Sequence, residues 1–334
     1  MKKELSDIDF VIPWVDGSDP AWIAEFNKYC PEDKRIVDVS SKRYRDYGLL
    51  KYWFRGVEQF APWVRKVHFI TCGQKPEWLN LSAPKLHWVR HSDYIPQEYL
   101  PVFSSHPIEL MMHKIPGLAE QIVYFNDDFF LTSPVRKKFF FRKGLPCDSA
   151  ILTVPCTNQQ VMPHILLNDL YEINRNFHKG RVMVKNPTKW FHPQYGKNLL
   201  RTLLLLPWPN FPDFQNPHMA CPYLKPQLEE VWEHCQQSLE NTMKSRFRST
   251  GDVNQYLFRF WRLCKGEFTP TSPTNGKKYF ELSGDITSIV KAIEQGRYKE
   301  IVLNDAPCID FEKRMQMIAT AFEHLLPEKS TFEL

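Results

Sequence analysis

The chain has 334 residues, 43% of them hydrophobic and 14% aromatic, enough to bury a sizeable core as one large domain or as a domain with an insertion. Lys and Arg outnumber Asp and Glu by 43 to 38, and the resulting charge of +5 is too mild to indicate nucleic acid, while an anionic small substrate or a membrane surface suits it equally. No apolar run approaches the roughly 20 residues that cross a bilayer, the charged start from Met1 to Glu4 lacks a signal peptide's apolar stretch, and eight scattered cysteines include no Cys-x-x-Cys pair, so a cytoplasmic globular protein with reduced thiols is expected.

In chain order, Ile8 to Trp14 reads as a first strand, after which Asp19 supplies a helix N-cap and Pro20 the first helical position. Tyr47 to Phe60 places Leu50, Phe54 and Val57 at helical spacing, and Val64 to Thr71 and Leu86 to Val89 read as short buried strands. Ser104 to Ile115 reads as a helix beginning near His106. Ile122 to Phe125 is another apolar strand, and it ends abruptly in Asn126, Asp127 and Asp128. Such alternation predicts an α/β fold with a largely parallel sheet and helices on both faces, its ligands lying beyond the carboxyl ends of the strands. Further on, Ser149 to Val154 reads as one more strand, and Gln159 to Phe177 and Gly196 to Leu206 as helices. The proline-rich stretch 207–226 reads as irregular, followed by helices over Leu224 to Gln237 and Asp252 to Cys264. Residues 155–215 form a mainly helical insertion on this reading, packed on a sheet domain made of 1–154 and 216–334.

Several polar groups stand out, each with a structural reading beside the functional one. Two carboxylates about 4 Å apart repel by roughly 4 kcal/mol at an effective dielectric of about 20. Asp127 and Asp128 therefore either open a solvated loop or share a divalent cation, since Mg²⁺ takes typically one or two carboxylates and keeps waters and phosphates in its other positions. Asp16 and Asp19 flank Gly17, which lets a ligand approach the backbone closely, although Asp19 also serves as a cap. His106, Glu109 and His113 fall on roughly one helix face, a zinc-like spacing that Pro107 and the seven-residue separation of the histidines fit poorly. His218 follows Pro217 in an irregular segment, where an imidazole serves either packing or general base catalysis. Arg246 and Arg248 form either an exposed basic turn or a phosphate grip. Asn304 and Asp305 again follow a strand-like run, Ile301 to Leu303.

The order of these groups resembles the Stealth family, the bacterial capsular-polysaccharide hexose-1-phosphate transferases, which also includes the catalytic subunit of the animal N-acetylglucosamine-1-phosphotransferase. Four blocks carry the resemblance. The first is Ile8 to Pro20, with Asp16-Gly17-Ser18-Asp19-Pro20. The second runs from Arg43-Tyr44-Arg45-Asp46 through Pro62-Trp63-Val64-Arg65 and Ile70-Thr71-Cys72-Gly73-Gln74 to Tyr124-Phe125-Asn126-Asp127-Asp128. The third is Pro217 to Tyr223 with His218, followed by Arg248 and Asp252. The fourth is Leu303-Asn304-Asp305 with Pro327 to Glu333. Pro13 and His106 depart from the family pattern, and neither removes a charged group assigned to chemistry.

The resemblance implies a Rossmann-like, GT-A-like sheet and transfer of a sugar 1-phosphate from a UDP-sugar to a carbohydrate hydroxyl, forming a phosphodiester and releasing UMP. It implies Mg²⁺ or Mn²⁺ on Asp127 and Asp128, His218 as base and Arg248 on the phosphoryl oxygens. Asp16, Gly17, Asp19, Arg43, Arg45, Asn126, Asn304 and Asp305 would line the substrate site, with His113 assisting. A metal-dependent glycosyltransferase releasing UDP and an inactive carbohydrate-binding module are the alternatives. Thr132 to Lys143, with five cations and three aromatics, reads as a buried strand with a solvated loop or as a peripheral membrane contact through 136–143. Donor sugar, acceptor and oligomeric state have no counterpart in these motifs.

Overall fold

The computed structural model describes residues 7–32, 44, 47–156, 161–308 and 310–334. The chain opens with β1 (Ile8–Pro13) and α1 (Pro20–Tyr29), which begins where the Asp19 carboxylate accepts the Ala21 N–H at 2.8 Å and Pro20 takes the first helical position. There follow α2 (Leu50–Phe60), β2 (Val67–Thr71), β3 (Leu86–Arg90), α3 (Ser105–Leu110), β4 (Gln121–Tyr124) and β5 (Phe129–Leu131). Two short strands, β6 (Phe141–Arg142) and β7 (Leu145–Asp148), precede four helices, α4 (Met162–Asn176), α5 (Lys179–Lys185), α6 (Pro187–Trp190) and α7 (Asn198–Leu204). The chain ends with β8 (Cys221–Leu224), α8 (Lys225–Met243), α9 (Tyr256–Lys265), β9 (Thr269–Pro270), β10 (Lys277–Glu281), α10 (Ile286–Glu294), β11 (Glu300–Asn304) and α11 (Phe311–Leu325).

The central sheet has the order β3-β2-β1-β4-β8, parallel throughout except for β8, which runs antiparallel to β4 at one edge. Side chains alternate across β1 and thereby supply two cores. Ile8, Phe10 and Ile12 pack with residues of α2 and α11, whereas Val11 packs with residues of α4, α8 and α9. Asp9, wholly buried on the second face, accepts from Arg65, Ala119 N–H at 2.8 Å and His68, so its charge is compensated. The expected α/β class with a mainly parallel sheet and flanking helices is present. A second sheet, β10-β11-β5, and a third, β6-β7-β9, adjoin it.

Three local readings change and a fourth is decided. The strand expected over Ser149 to Val154 lies earlier, at β7, because Asp148 is drawn inward by Arg259 and Arg262; beyond it only Leu152 bridges to Phe214. β8 lies inside the stretch read as irregular, since an edge strand tolerates Pro222. The helix expected to reach Ile115 stops at Leu110 and gives way to a 3₁₀ turn over Met112–Lys114, so His113 leaves the face shared by His106 and Glu109. Finally, of the two readings of Thr132 to Lys143, burial of Phe139, Phe140 and Phe141 in the first core favours the buried strand and takes the aromatic half from a membrane contact through 136–143. The segment 155–215 carries α4 to α7, and Leu170, Ile173, Val182 and Met183 pack in the same core as α8 and α9.

Candidate active site at the carboxyl ends of the strands

The connection after β1 leads to β2 and β3 on one side, and the chain then crosses to β4 on the other. A doubly wound sheet binds its ligands where the order reverses, in the crevice outside the carboxyl ends of the two strands concerned. A cavity of about 220 Å³ lies there. Trp14 and Val15 after β1, Cys72 after β2, His91 after β3 and Asn126 and Asp127 after β4 line it, together with Ser105 and Glu109 of α3 and Arg248. Trp22, Tyr44 and Phe103 give it an aromatic wall, tied by the Tyr44 hydroxyl donating to the Phe103 carbonyl at 3.0 Å.

Arg248 reaches this cavity because its loop is pinned from below. Asp252 accepts the Ser249 N–H at 2.8 Å and pairs with His106 Nδ1 at 3.1 Å, both side chains being buried. The Arg248 guanidinium then donates to Ser105 Oγ at 3.2 Å. Glu109, fully buried, accepts from the Tyr124 hydroxyl at 3.2 Å, and burial pushes its carboxyl above the usual range.

The acidic turn is fixed from the opposite side. Asp128 accepts the Leu303 N–H on its carbonyl at 3.0 Å, which locks the turn to β11. Asp305 follows that strand and faces the Tyr47 hydroxyl, whose pKa is pushed far up by burial and by the charges of Asp305, Asp127 and Asp128. Three carboxylates from two turns thus act on one phenol. The donor set is one for a hard cation. Among the described residues no group of three or more His, Cys, Asp or Glu is placed to hold a metal ion. Mg²⁺ does not need such a group, because it keeps waters and substrate phosphates among its ligands.

His218 stands across the same turn. Its Nε2 lies 3.6 Å from Asp128 Oδ2, and its ring sits edge-on to Phe129 with centroids 5.0 Å apart. The backbone at His218 is left-handed, φ 46°, a conformation costing of order 1–3 kcal/mol in a non-glycine residue and concentrated at functional sites. Glu300 of β11 holds this segment by accepting the Ala220 N–H, and Lys277 compensates Glu300 at 3.0 Å. The imidazole also borders a smaller pocket, of about 40 Å³, with Tyr256, Arg259 and Lys277.

The remaining predicted residues are placed differently. Gly17 admits Tyr44 and not a ligand: a Cβ there would lie 2.4 Å from the Tyr44 carbonyl oxygen. Asp16 accepts the backbone and hydroxyl of Ser18, at 2.8 and 2.6 Å. Asp19 caps α1 and is held by the Gln74 amide at 2.9 Å, which keeps its carboxyl below the usual range. Both therefore shape the loop at the cavity's rim. Asn304 donates to the Asp305 carbonyl at 3.1 Å. Arg43 and Arg45 lie outside the described residues. His113 is not brought to this site. It borders another cavity beside Trp232, and burial lowers its pKa to about 4. Tyr47, Gln74 and the His106–Asp252 pair had no assigned role in the sequence, since each acts through a partner distant along the chain.

The family described as Stealth protein CR1, conserved region 1, matches residues 6–30, and Stealth protein CR2, conserved region 2, matches residues 43–147. The capsular polysaccharide phosphotransferase WcwK of Streptococcus pneumoniae is 38% identical over 99% of this chain and 99% of its own. The exopolysaccharide phosphotransferase cps2G of Lactiplantibacillus plantarum is 38% identical over 98% of this chain and 96% of its own, and the receptor polysaccharide phosphotransferase WefC of Streptococcus gordonii is 39% identical over 99% and 100%. Among solved structures, the apo form of the bifunctional glycosyltransferase WbbM covers 96% of this chain and 51% of its own at 10% identity and a TM-score of 0.37, which bears on neither substrate nor mechanism. End-to-end identity of this kind, with both conserved regions in order, places the chain in the Stealth family, among its capsular and exopolysaccharide phosphotransferases.

Proposed function

We propose that the enzyme transfers a sugar 1-phosphate from a UDP-sugar to a carbohydrate hydroxyl during synthesis of a capsular or other cell-surface polysaccharide, releasing UMP. The observation that carries this reading is the convergence of Asn126, Asp127 and Arg248 on one cavity at the point where the strand order reverses. The acceptor oxygen attacks the phosphorus that bears the sugar, the bond from that phosphorus to the bridging oxygen breaks, and UMP leaves with that oxygen. Such a transfer is chiefly a matter of positioning and charge.

Each side chain then has a task. Asp127 and Asp128 would hold Mg²⁺ or Mn²⁺, which when bound neutralises the diphosphate, and Asn126 would orient them. Arg248 would grip the phosphoryl oxygens from the α3 side through its planar fork. His218 would take the proton of the acceptor hydroxyl, Asp128 stabilising the imidazolium 3.6 Å away. Asn304 and Asp305 would complete the wall, Asp305 beside Tyr47. Asp16, Gly17 and Asp19 would serve by keeping the β1 loop in shape.

The test is incubation with a panel of UDP-sugars, Mg²⁺ or Mn²⁺ and carbohydrate acceptors, separating nucleotide products by chromatography. UMP appearing in step with a phosphodiester product is the expected outcome. Release of UDP would instead make the protein a glycosyltransferase, and binding without turnover would make it a carbohydrate-binding module.

A further inference from the structure

Between Glu172 and Asp213 the chain has seven Lys or Arg residues and no Asp or Glu. In the same stretch α7 is inside out. Thr202 and the following Leu205 face the core, while Leu200, Leu203 and Leu204, three and four residues apart on one face, are 63, 49 and 65% exposed. Leu206 and Trp208 carry the ridge into the next turn, at 39 and 52% exposure. Single exposed apolar side chains are ordinary, but five large ones within positions 200–208 form a patch of the kind that marks an interaction surface.

The fold holds this ridge in place. The buried Lys179 ammonium donates to the carbonyl oxygens of Leu205 at 2.8 Å, Leu206 at 3.1 Å and Trp208. Thr202 Oγ1 accepts the Leu152 N–H at 3.2 Å from the opposite side. The turn is thereby fastened at both ends with its leucines turned outward. Lys197, the residue that precedes α7, and Arg201 within it are both exposed and flank them.

We propose that residues 197–208 dock the enzyme on an anionic lipid surface, the leucines entering the acyl boundary, Trp208 resting at headgroup level and the cations meeting lipid phosphates. A short element with Leu and Trp on one side and Lys or Arg beside them has the composition of an interfacial anchor. A second copy of this chain is the competing occupant. A two-fold contact would set the same patch against itself, so the cations of one copy would face those of the other, which charge repulsion opposes. The proposal is independent of the transfer chemistry.

Full-length protein sedimented with phosphatidylcholine vesicles, with and without phosphatidylglycerol, provides the test. Binding is expected to the anionic vesicles and to weaken as salt rises. Leu203→Glu with Leu204→Glu should lower partitioning about tenfold or more. Lys197→Glu with Arg201→Glu should abolish the preference for phosphatidylglycerol. Lipid-borne quenchers should dim the wild-type fluorescence by the share that Trp208→Phe removes, a readout independent of whether the charged variants fold. Wild type that stays in the supernatant with both vesicles, or leucine variants that sediment like wild type, would overturn the proposal. So would a dimer in light scattering that the leucine variants split while vesicle binding is absent.

Discussion

Asp127 and Asp128 leave the same strand as neighbours and meet different partners. Asp127 lines the large cavity with Arg248, whereas Asp128 turns its carboxylate to His218. Both lie in the turn between β4 and β5, and both charges still act on Tyr47, so the two halves of the proposed transfer meet at one turn. Asp127→Ala is expected to abolish turnover and His218→Ala to lower kcat by about 10²–10⁴, both with unchanged circular dichroism. Normal turnover of a folded His218→Ala enzyme would remove the base from the scheme. The acidic turn was legible in the sequence because apolar strand residues stop sharply at carboxylates. Tyr47 was not, since its importance lies in the charges of Asp127, Asp128 and Asp305, which reach it only in the folded chain.

At the scale of elements, β7 meets α9 through one carboxylate. Asp148 takes Arg259 at 2.8 Å and also Arg262, all three buried, and Arg259 donates on to Asn216 at 2.9 Å. Burial alone would raise the Asp148 pKa, but the two guanidiniums outweigh it and hold it at about 2. Depression below the unfolded value means that the stabilisation is complete above about pH 4 and is lost as pH falls toward 2, a difference of about 2 kcal/mol. Urea midpoints measured from pH 5 to pH 2 should show that loss. Asp148→Asn should remove the corresponding part of the pH dependence and cost about 3–5 kcal/mol at neutral pH, because two buried cations lose their partner. The pull of Asp148 explains why the strand expected over Ser149 to Val154 sits earlier: apolar pattern located a buried extended segment, whereas the ion pair set its register. Proline likewise hid β8, since local chemistry disfavours a strand that the sheet edge accepts. The β1, α1, α2, β2 and β3 segments were readable because periodicity and the Asp19-Pro20 cap agree with their tertiary setting.

Across the whole molecule, two cores share one sheet. Phe10 belongs to the first and Phe258 to the second, both almost completely buried. Truncating either to Ala is expected to cost about 3–5 kcal/mol. Both losses should appear in a single unfolding transition, coincident by fluorescence and circular dichroism, because β1 sends alternate side chains into each core. Two separated transitions would show that the helices of 155–215 melt on their own.

Strand β11 reaches the site twice, through the Leu303 N–H on Asp128 and through Glu300 on the segment that bears His218. A ribosome makes the acids of the first half long before this strand. While the nascent chain lengthens, its carboxylates and its imidazole therefore lack the strand that sets their mutual register, and competence arrives only once β11 has been made. A message cut short anywhere before residue 300 yields an inert product, not a loosely regulated one.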